Sequence, residues 1–266
     1  MNFNRIFAIV LRQFYLMRRS FSRFLAMFTW VIVDIILWGF MSRYLNGMTG
    51  SGYNFIPAIL GAVLLWDFLI RVMNGVSMAF MEDNWSRNFL NVFASPITIS
   101  EYVSGLVLSG IVTSLINLVL MIALAMPLFG LSLFAYGWMI LPFLFVLFLS
   151  GIALGIFAIA VILRLGPSAE WLIWPLPAII SPFVGVFYPL STLPHWMQLV
   201  SNALPPSYVF ENIRSIVAGH AASPVSLVWG LGLAAVYTLL ACLLFMSVYR
   251  KVVRTGQLAR YSAEGN

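Results

Sequence analysis

Six long apolar stretches alternate with short polar segments along this chain, at roughly 24–44, 55–81, 103–127, 134–163, 170–190 and 223–249. At about 1.5 Å of rise per residue, some 20 apolar residues cross the ~30 Å hydrocarbon core of a bilayer. The pattern predicts an all-α polytopic membrane fold with six transmembrane helices, forming one membrane domain over residues 1–266.

Three weaker patterns fill the remainder. Over residues 2–20, Phe3, Ile6, Phe7, Val10, Phe14 and Met17 fall on one helical face, while Arg5, Arg12 and Arg19 recur every seven residues on the opposite one. That predicts a helix lying in the membrane interface, apolar face in lipid and arginines toward headgroups or a partner. Between the second and third spans, Ser86 is placed to cap a short helix over 86–98. Phe89, Leu90 and Phe93 form its apolar stripe and Ser95-Pro96 ends it, a form suited to docking in a groove on another protein or to resting on lipid. Third, Pro175, Pro177, Pro182 and Pro189 interrupt the fifth span, which predicts a kinked, protein-packed helix. The segments 194–204 and 207–218 are too short to cross a bilayer. They read as two re-entrant helices joined at Pro205-Pro206, the second capped by Ser207.

Composition agrees. The chain is 62% hydrophobic and 8% charged, where a soluble domain carries about 25% charge. Its net charge of +6 is a topology signal rather than a nucleic-acid footprint. Arg5, Arg12, Arg18, Arg19 and Arg23 precede the first span, Arg87 follows the second and Arg164 the fourth, and Arg250, Lys251, Arg254 and Arg260 follow the sixth. Positive residues are retained inside, so both termini are expected in the cytoplasm; the opposite side holds only Arg43 and Arg214. Arg12, Arg18 and Arg19 break any apolar core of a signal peptide, and the first span is expected to stay in the mature protein. The one cysteine, Cys242, lies within the last span and has no partner for an intrachain disulfide.

Charges inside spans are expensive and mark protein-facing or water-lined positions. Asp34 sits near the middle of the first span, and Asp67 and Arg71, four apart on one helix face, near the middle of the second. They are expected to form one cluster, either structural or involved in substrate passage. Trp171, Trp174, Tyr188, Trp196 and Tyr208 gather around the proline-rich region as an interfacial belt or as guides for a substrate. Gly151 and Gly155 form a GxxxG pair that permits close helix approach.

The run from Ser181-Pro182-Phe183-Val184-Gly185 through Tyr188-Pro189 to Leu193-Pro194-His195-Trp196, with Leu204-Pro205-Pro206-Ser207-Tyr208 and Glu211-Asn212-Ile213-Arg214, resembles the C-terminal signature of ABC-2 type (type V exporter-like) transporter permeases. The loop ending in Ser95-Pro96 resembles their coupling-helix region, although Asn88, Phe89 and Leu90 stand where many relatives read nearer Gly-Thr-Leu. The resemblance covers essentially the whole chain. It implies a permease subunit of an exporter in the inner membrane, paired with a second permease copy as a homodimer or with a related permease. Two separate ATPase subunits would dock on the coupling helices, with Arg87, Phe89, Leu90, Phe93, Ser95 and Pro96 as the coupling residues. ATP and Mg would then be bound by the partner, and no cofactor by this chain. The residues agree on one point: a phosphate-binding loop needs a lysine after its glycine-rich turn, and the only lysine is Lys251, in Tyr249-Arg250-Lys251-Val252.

An intramembrane enzyme acting on lipid or peptide substrates is the competing class. His195 and His220 lack metal-ligand spacing, and the serines at 104, 109 and 150 lack the preceding glycine of a strained nucleophile turn. A passive channel lacks a charged ring or carbonyl filter in this sequence.

Overall fold

The computed structural model describes residues 2–19, 21–49, 54–86 and 95–255. The described chain is helical throughout. It begins with α1 (Phe3–Arg19) and α2 (Phe21–Thr49). A π-helical turn (Ile56–Leu60) leads into α3 (Gly61–Trp85), followed by α4 (Ile99–Phe129). A 3-10 turn (Leu133–Met139) opens α5 (Ile140–Leu165), and the short α6 (Glu170–Ile173) and α7 (Leu176–Val184) come next. Then α8 (His195–Asn202) and α9 (Pro205–Val217) precede α10 (Pro224–Arg254).

Four of these stretches, Ile56–Asp83, Ile99–Phe129, Leu133–Leu165 and Pro224–Arg254, are long and apolar enough to cross a bilayer among the described residues. They match the expected second, third, fourth and sixth spans. At 29 residues, α2 also has the length for the first. The fifth differs: Glu170–Val184 is 15 residues and broken at Trp174-Pro175, so it does not reach across as the expected 170–190 helix would. Pro175 supplies no backbone donor, and the chain leaves α7 at Gly185, whose φ of +68° is left-handed. A Cβ there would meet Leu190 at 2.8 Å and Arg214 at 3.0 Å.

The centre is α3 against α5. Leu65, Leu69, Val72 and Val76 on α3 and Phe143, Leu147, Ile159 and Ile162 on α5 are buried. Gly151 and Gly155, for which sequence named no partner, seat α5 on α3: added Cβ atoms would lie 2.8 Å from the Leu69 carbonyl and 3.0 Å from that of Met73. On the other side of α3, Gly75 crosses Gly110 of α4, and a Cβ on Gly75 would lie 2.6 Å from the Gly110 Cα. Backbone cannot yield as a side chain can, so Gly75→Ala should separate these helices and cost about 1–3 kcal/mol. Gly232→Ala in α10, where nothing lies within 4 Å, should be neutral or stabilising. Thermal melting of the two purified variants checks the contrast.

A smaller core forms where Val31 and Ile35 of α2 meet Leu60, Leu64, Met121 and Ala125. The rest of α2 stays open, with Trp30, Val33, Leu37, Phe40, Met41 and Tyr44 exposed. Antiparallel packing gathers residues 83–86, 95–101, 165–170 and 250–255 at one end, where the arginines concentrate. At the opposite end Tyr136 donates to the Pro57 carbonyl at 2.5 Å, fixing the entrance to the π turn.

Candidate functional site

Arg12 of α1 donates to both carboxylate oxygens of Asp83, a fully buried acid in the last turn of α3. Tyr102 of α4, also fully buried, donates to the same carboxylate at 2.6 Å. The hydrogen bonds that Arg12 donates to Asp83 outweigh desolvation and hold its guanidinium above its ordinary pKa. One turn away, Glu101 accepts from the Asn2 amide at 2.6 Å and the Thr98 amide at 3.0 Å, and lies 3.5 Å from Arg5. The Thr98 hydroxyl in turn accepts from the Glu101 amide, closing a capping box at the start of α4.

These contacts add buried partners to the arginine face of the N-terminal helix. Arg5 and Arg12, whose side chains stay 39% and 30% exposed, each reach one of two buried carboxylates that need counter-charges, beside the buried Ile6 and Ile9. Phe3, Phe7 and Phe14 do remain on an exposed apolar face, joined there by Leu11 and Tyr15. Sequence reasoning missed Asp83, Glu101 and Tyr102. The Thr98-x-x-Glu101 spacing was a legible signal for one of them.

Of the expected coupling residues, Arg87, Phe89, Leu90 and Phe93 lie outside the described residues. Ser95 and Pro96 form a bend, with the Ile97 amide on the Ser95 carbonyl at 2.8 Å. Ser86, expected as a helix cap, donates its amide to the Glu82 carbonyl and so continues the end of α3. The adjoining Trp85 indole donates to Glu170 at 2.9 Å, tying this end to the broken fifth span.

Within the bundle, Arg71 donates through Nε to Asp67 at 2.8 Å and approaches it through a second nitrogen at 2.7 Å, both side chains mostly buried. Asp34 on α2 lies near enough to feel both charges but, among the described residues, makes no ion pair of its own, and it is half-buried. The expected cluster is therefore a direct pair with a neighbouring acid. One turn on from Asp34, Trp38 stacks on Phe187 at 4.8 Å, joining α2 to the end of the fifth-span region.

The aromatic set is dispersed. Trp171 is 80% exposed, Trp174 donates to Glu170, and Trp196 packs edge-on against Phe183. Tyr188 and Tyr208 serve the backbone, donating to the carbonyls of Pro182 and Asn202. None of the five lines the apolar cleft of about 530 Å³ beneath Leu204-Pro205-Pro206, which is walled by Trp66, Phe157, Ile180 and Leu240 among others. The one serine in its wall, Ser150, spends its hydroxyl on the Val146 carbonyl.

The re-entrant pair exists as two helices, with corrected ends. Ser207 is not the cap of the second: α9 begins at Pro205, whose missing amide suits a first helical position, and Ser207 inside it donates to the carbonyls of Ser201 and Leu204, both at 2.6 Å. Asn212 accepts from the Ser223 amide at 2.6 Å and donates to Ser226, fixing the start of α10. Arg214 binds Glu211 at 2.7 Å and the Gly185 carbonyl, while Glu211 takes the Leu190 amide at 2.8 Å. Asn212, Glu211 and Arg214 belong to the signature run read from sequence, and these bonds give that run a structural meaning. His195 and His220 are exposed.

No curated protein matches the chain. The family model for the ABC-2 type transporter matches residues 4–218, from α1 through the re-entrant pair. With an all-α membrane bundle, an interface-type N-terminal helix and this closing signature, the chain belongs to the ABC-2 type transporter family as a membrane permease domain.

Proposed function

We propose that this chain is the permease subunit of an ATP-driven exporter, moving a drug, lipid, glycolipid or polysaccharide outward across a bacterial-type inner membrane. The reading rests on the family match over residues 4–218. The family works with ABC ATPase subunits, and this chain has no lysine placed to serve a phosphate-binding loop. Two ATPase subunits would bind ATP and Mg and dock on the 86–98 segment of each of two permease copies. The open apolar face of α2 supports pairing with a second copy, and the pathway would run beside α2, α3 and the fifth-span region. The intramembrane enzyme remains the other class; no observation on the site favours it.

Reconstitution tests the reading directly. The purified permease should retain an ATPase encoded beside it, and substrates of the four classes should be screened for stimulation of ATP turnover in liposomes. A permease that recruits no ATPase defeats the proposal.

Orientation is a second expectation, motivated by the arginine distribution. In a Cys242→Ser background, an impermeant maleimide should label cysteines at Thr192 and His220 on intact cells. Cysteines at Arg18 and Thr255 should label only after lysis. All four residues are exposed. The reverse pattern would invert the topology and place both termini outside.

A further inference from the structure

The apolar cleft and a group of cations line up along two neighbouring helices. α5 and α10 run side by side, both ending at the arginine-rich end of the bundle, and the Thr238 hydroxyl donates across them to the Leu149 carbonyl at 3.2 Å. Tyr237, Ala241 and Leu244 of α10 and Ser150 and Phe157 of α5 line the cleft. Seven residues are close to two helical turns, so a residue seven further on returns to nearly the same face. Seven beyond Phe157 stands Arg164; seven beyond Leu244 stands Lys251, with Arg254 three residues further. The 89-residue offset of the Thr238 bond carries Arg164 to the level of Val253, between the other two cations. All three cations are exposed and, among the described residues, make no ion pair. Lys251 lies about 10 Å along the helix from Leu244 and about 21 Å from Tyr237. One leaflet of hydrocarbon is about 15 Å deep, so the stripe spans a leaflet and its headgroup layer.

We propose that the cleft between α5 and α10 holds an acyl chain of an anionic phospholipid, drawn from the leaflet at the arginine-rich end, with its phosphate between Arg164, Lys251 and Arg254. The chain is matched by the walls, which are apolar and whose serine hydroxyl is already bonded to the Val146 carbonyl. At its side the cleft continues, through the exposed Tyr237, Leu240 and Phe157, into the open apolar surface of Val236, Leu239 and Leu243, which at this depth meets hydrocarbon. At its far end Leu204-Pro205-Pro206 closes it, so a lipid enters with its headgroup toward the cations. The headgroup is matched by charge, since basic pockets between membrane helices favour anionic lipids. The nearby acid Glu170 does not neutralise them, because its two oxygens take the indoles of Trp85 and Trp174. The occupant is a bilayer lipid rather than cargo, because α2, beside which the pathway is proposed to run, contributes nothing to the walls. The site needs only the membrane bundle and not the exporter reading; the proposed orientation serves to name the leaflet as cytoplasmic.

The test is native mass spectrometry of the full-length, delipidated permease titrated with phosphatidylglycerol or with phosphatidylcholine of the same chains. The unaltered protein should bind one phosphatidylglycerol per chain, about a hundredfold more tightly than phosphatidylcholine. Arg164→Gln/Lys251→Gln/Arg254→Gln should bring the two lipids to equal affinity. Ala153→Phe/Ala241→Phe, which fills the cleft and leaves the cations in place, should lose both. Glycerol 3-phosphate at the same concentration should not compete. Phosphatidylglycerol brominated along its chains should quench tryptophan fluorescence in the unaltered protein more than in Trp66→Phe, because the Trp66 ring stands in the cleft wall. Equal affinity for the two lipids in the unaltered protein overturns the proposal, as does an undiminished preference in the triple variant. Unchanged binding by the filled variant, or competition by glycerol 3-phosphate, would reduce the site to a phosphate contact and overturns the cleft. Where the filled variant does not fold, the Trp66→Phe comparison decides, and equal quenching overturns the cleft.

Discussion

Arg71→Ala is expected to destabilise the folded protein by about 3–5 kcal/mol, the cost of leaving a buried acid without its partner. Both side chains of the Arg71–Asp67 pair are 14% exposed, so water screens them little. The loss also removes a cation that offsets Asp34, leaving two carboxylates to repel each other at bilayer depth. Removing Asp67 together with Arg71 should therefore cost less than the sum of the single changes, with a coupling of about 0.5–3 kcal/mol. Asp34→Asn should partly relieve Arg71→Ala by the same reasoning. Equilibrium unfolding in mixed micelles measures all four variants. Strictly additive losses would mean that the three residues do not share a field.

Replacing Phe89 and Phe93 with serine should abolish transport while leaving membrane insertion intact. The two rings are the larger members of the only apolar stripe in the 86–98 segment, and interfaces concentrate their affinity in a few buried aromatic anchors. Loss of two such anchors would cost about 4 kcal/mol, a roughly thousandfold weaker association with the ATPase. If the stripe instead rests on lipid, the double variant would keep its ATPase at wild-type stoichiometry with full substrate-stimulated turnover. That result would move the motor contact to the exposed side of α1.

The two predictions differ in how far sequence alone could carry them. The Asp67–Arg71 pair was readable because residues four apart share a helix face wherever the helix goes. That Asp34 would sit beside it without an ion pair among the described residues was not, since this depends on how α2 leans against its neighbours. The same division runs through the termini of the bundle. The helix at 3–19 and the pair at 195–202 and 205–217 followed from periodicity and proline placement. Ser207 misled because serine is a good cap in isolation, yet proline two residues earlier had already claimed the helix start.

What the sequence by itself determined was the second, third, fourth and sixth membrane-length helices, the amphipathic character of α1, the proline break in the fifth span and the membership of a transporter family. Each is a property of a short stretch of chain measured against its solvent: apolar length against bilayer thickness, periodicity against an interface, a missing amide against a hydrogen-bond ladder. Tertiary structure alone decided which face of α1 turns inward, which helix receives the Gly151–Gly155 groove, and that the aromatics near the fifth span stay off the apolar cleft. Arg12 meets Asp83 across 71 residues and the Asn2 amide meets Glu101 across 99. Periodicity places a charge on a face but does not say what waits opposite it, and buried charges take whichever partner the packing brings within reach.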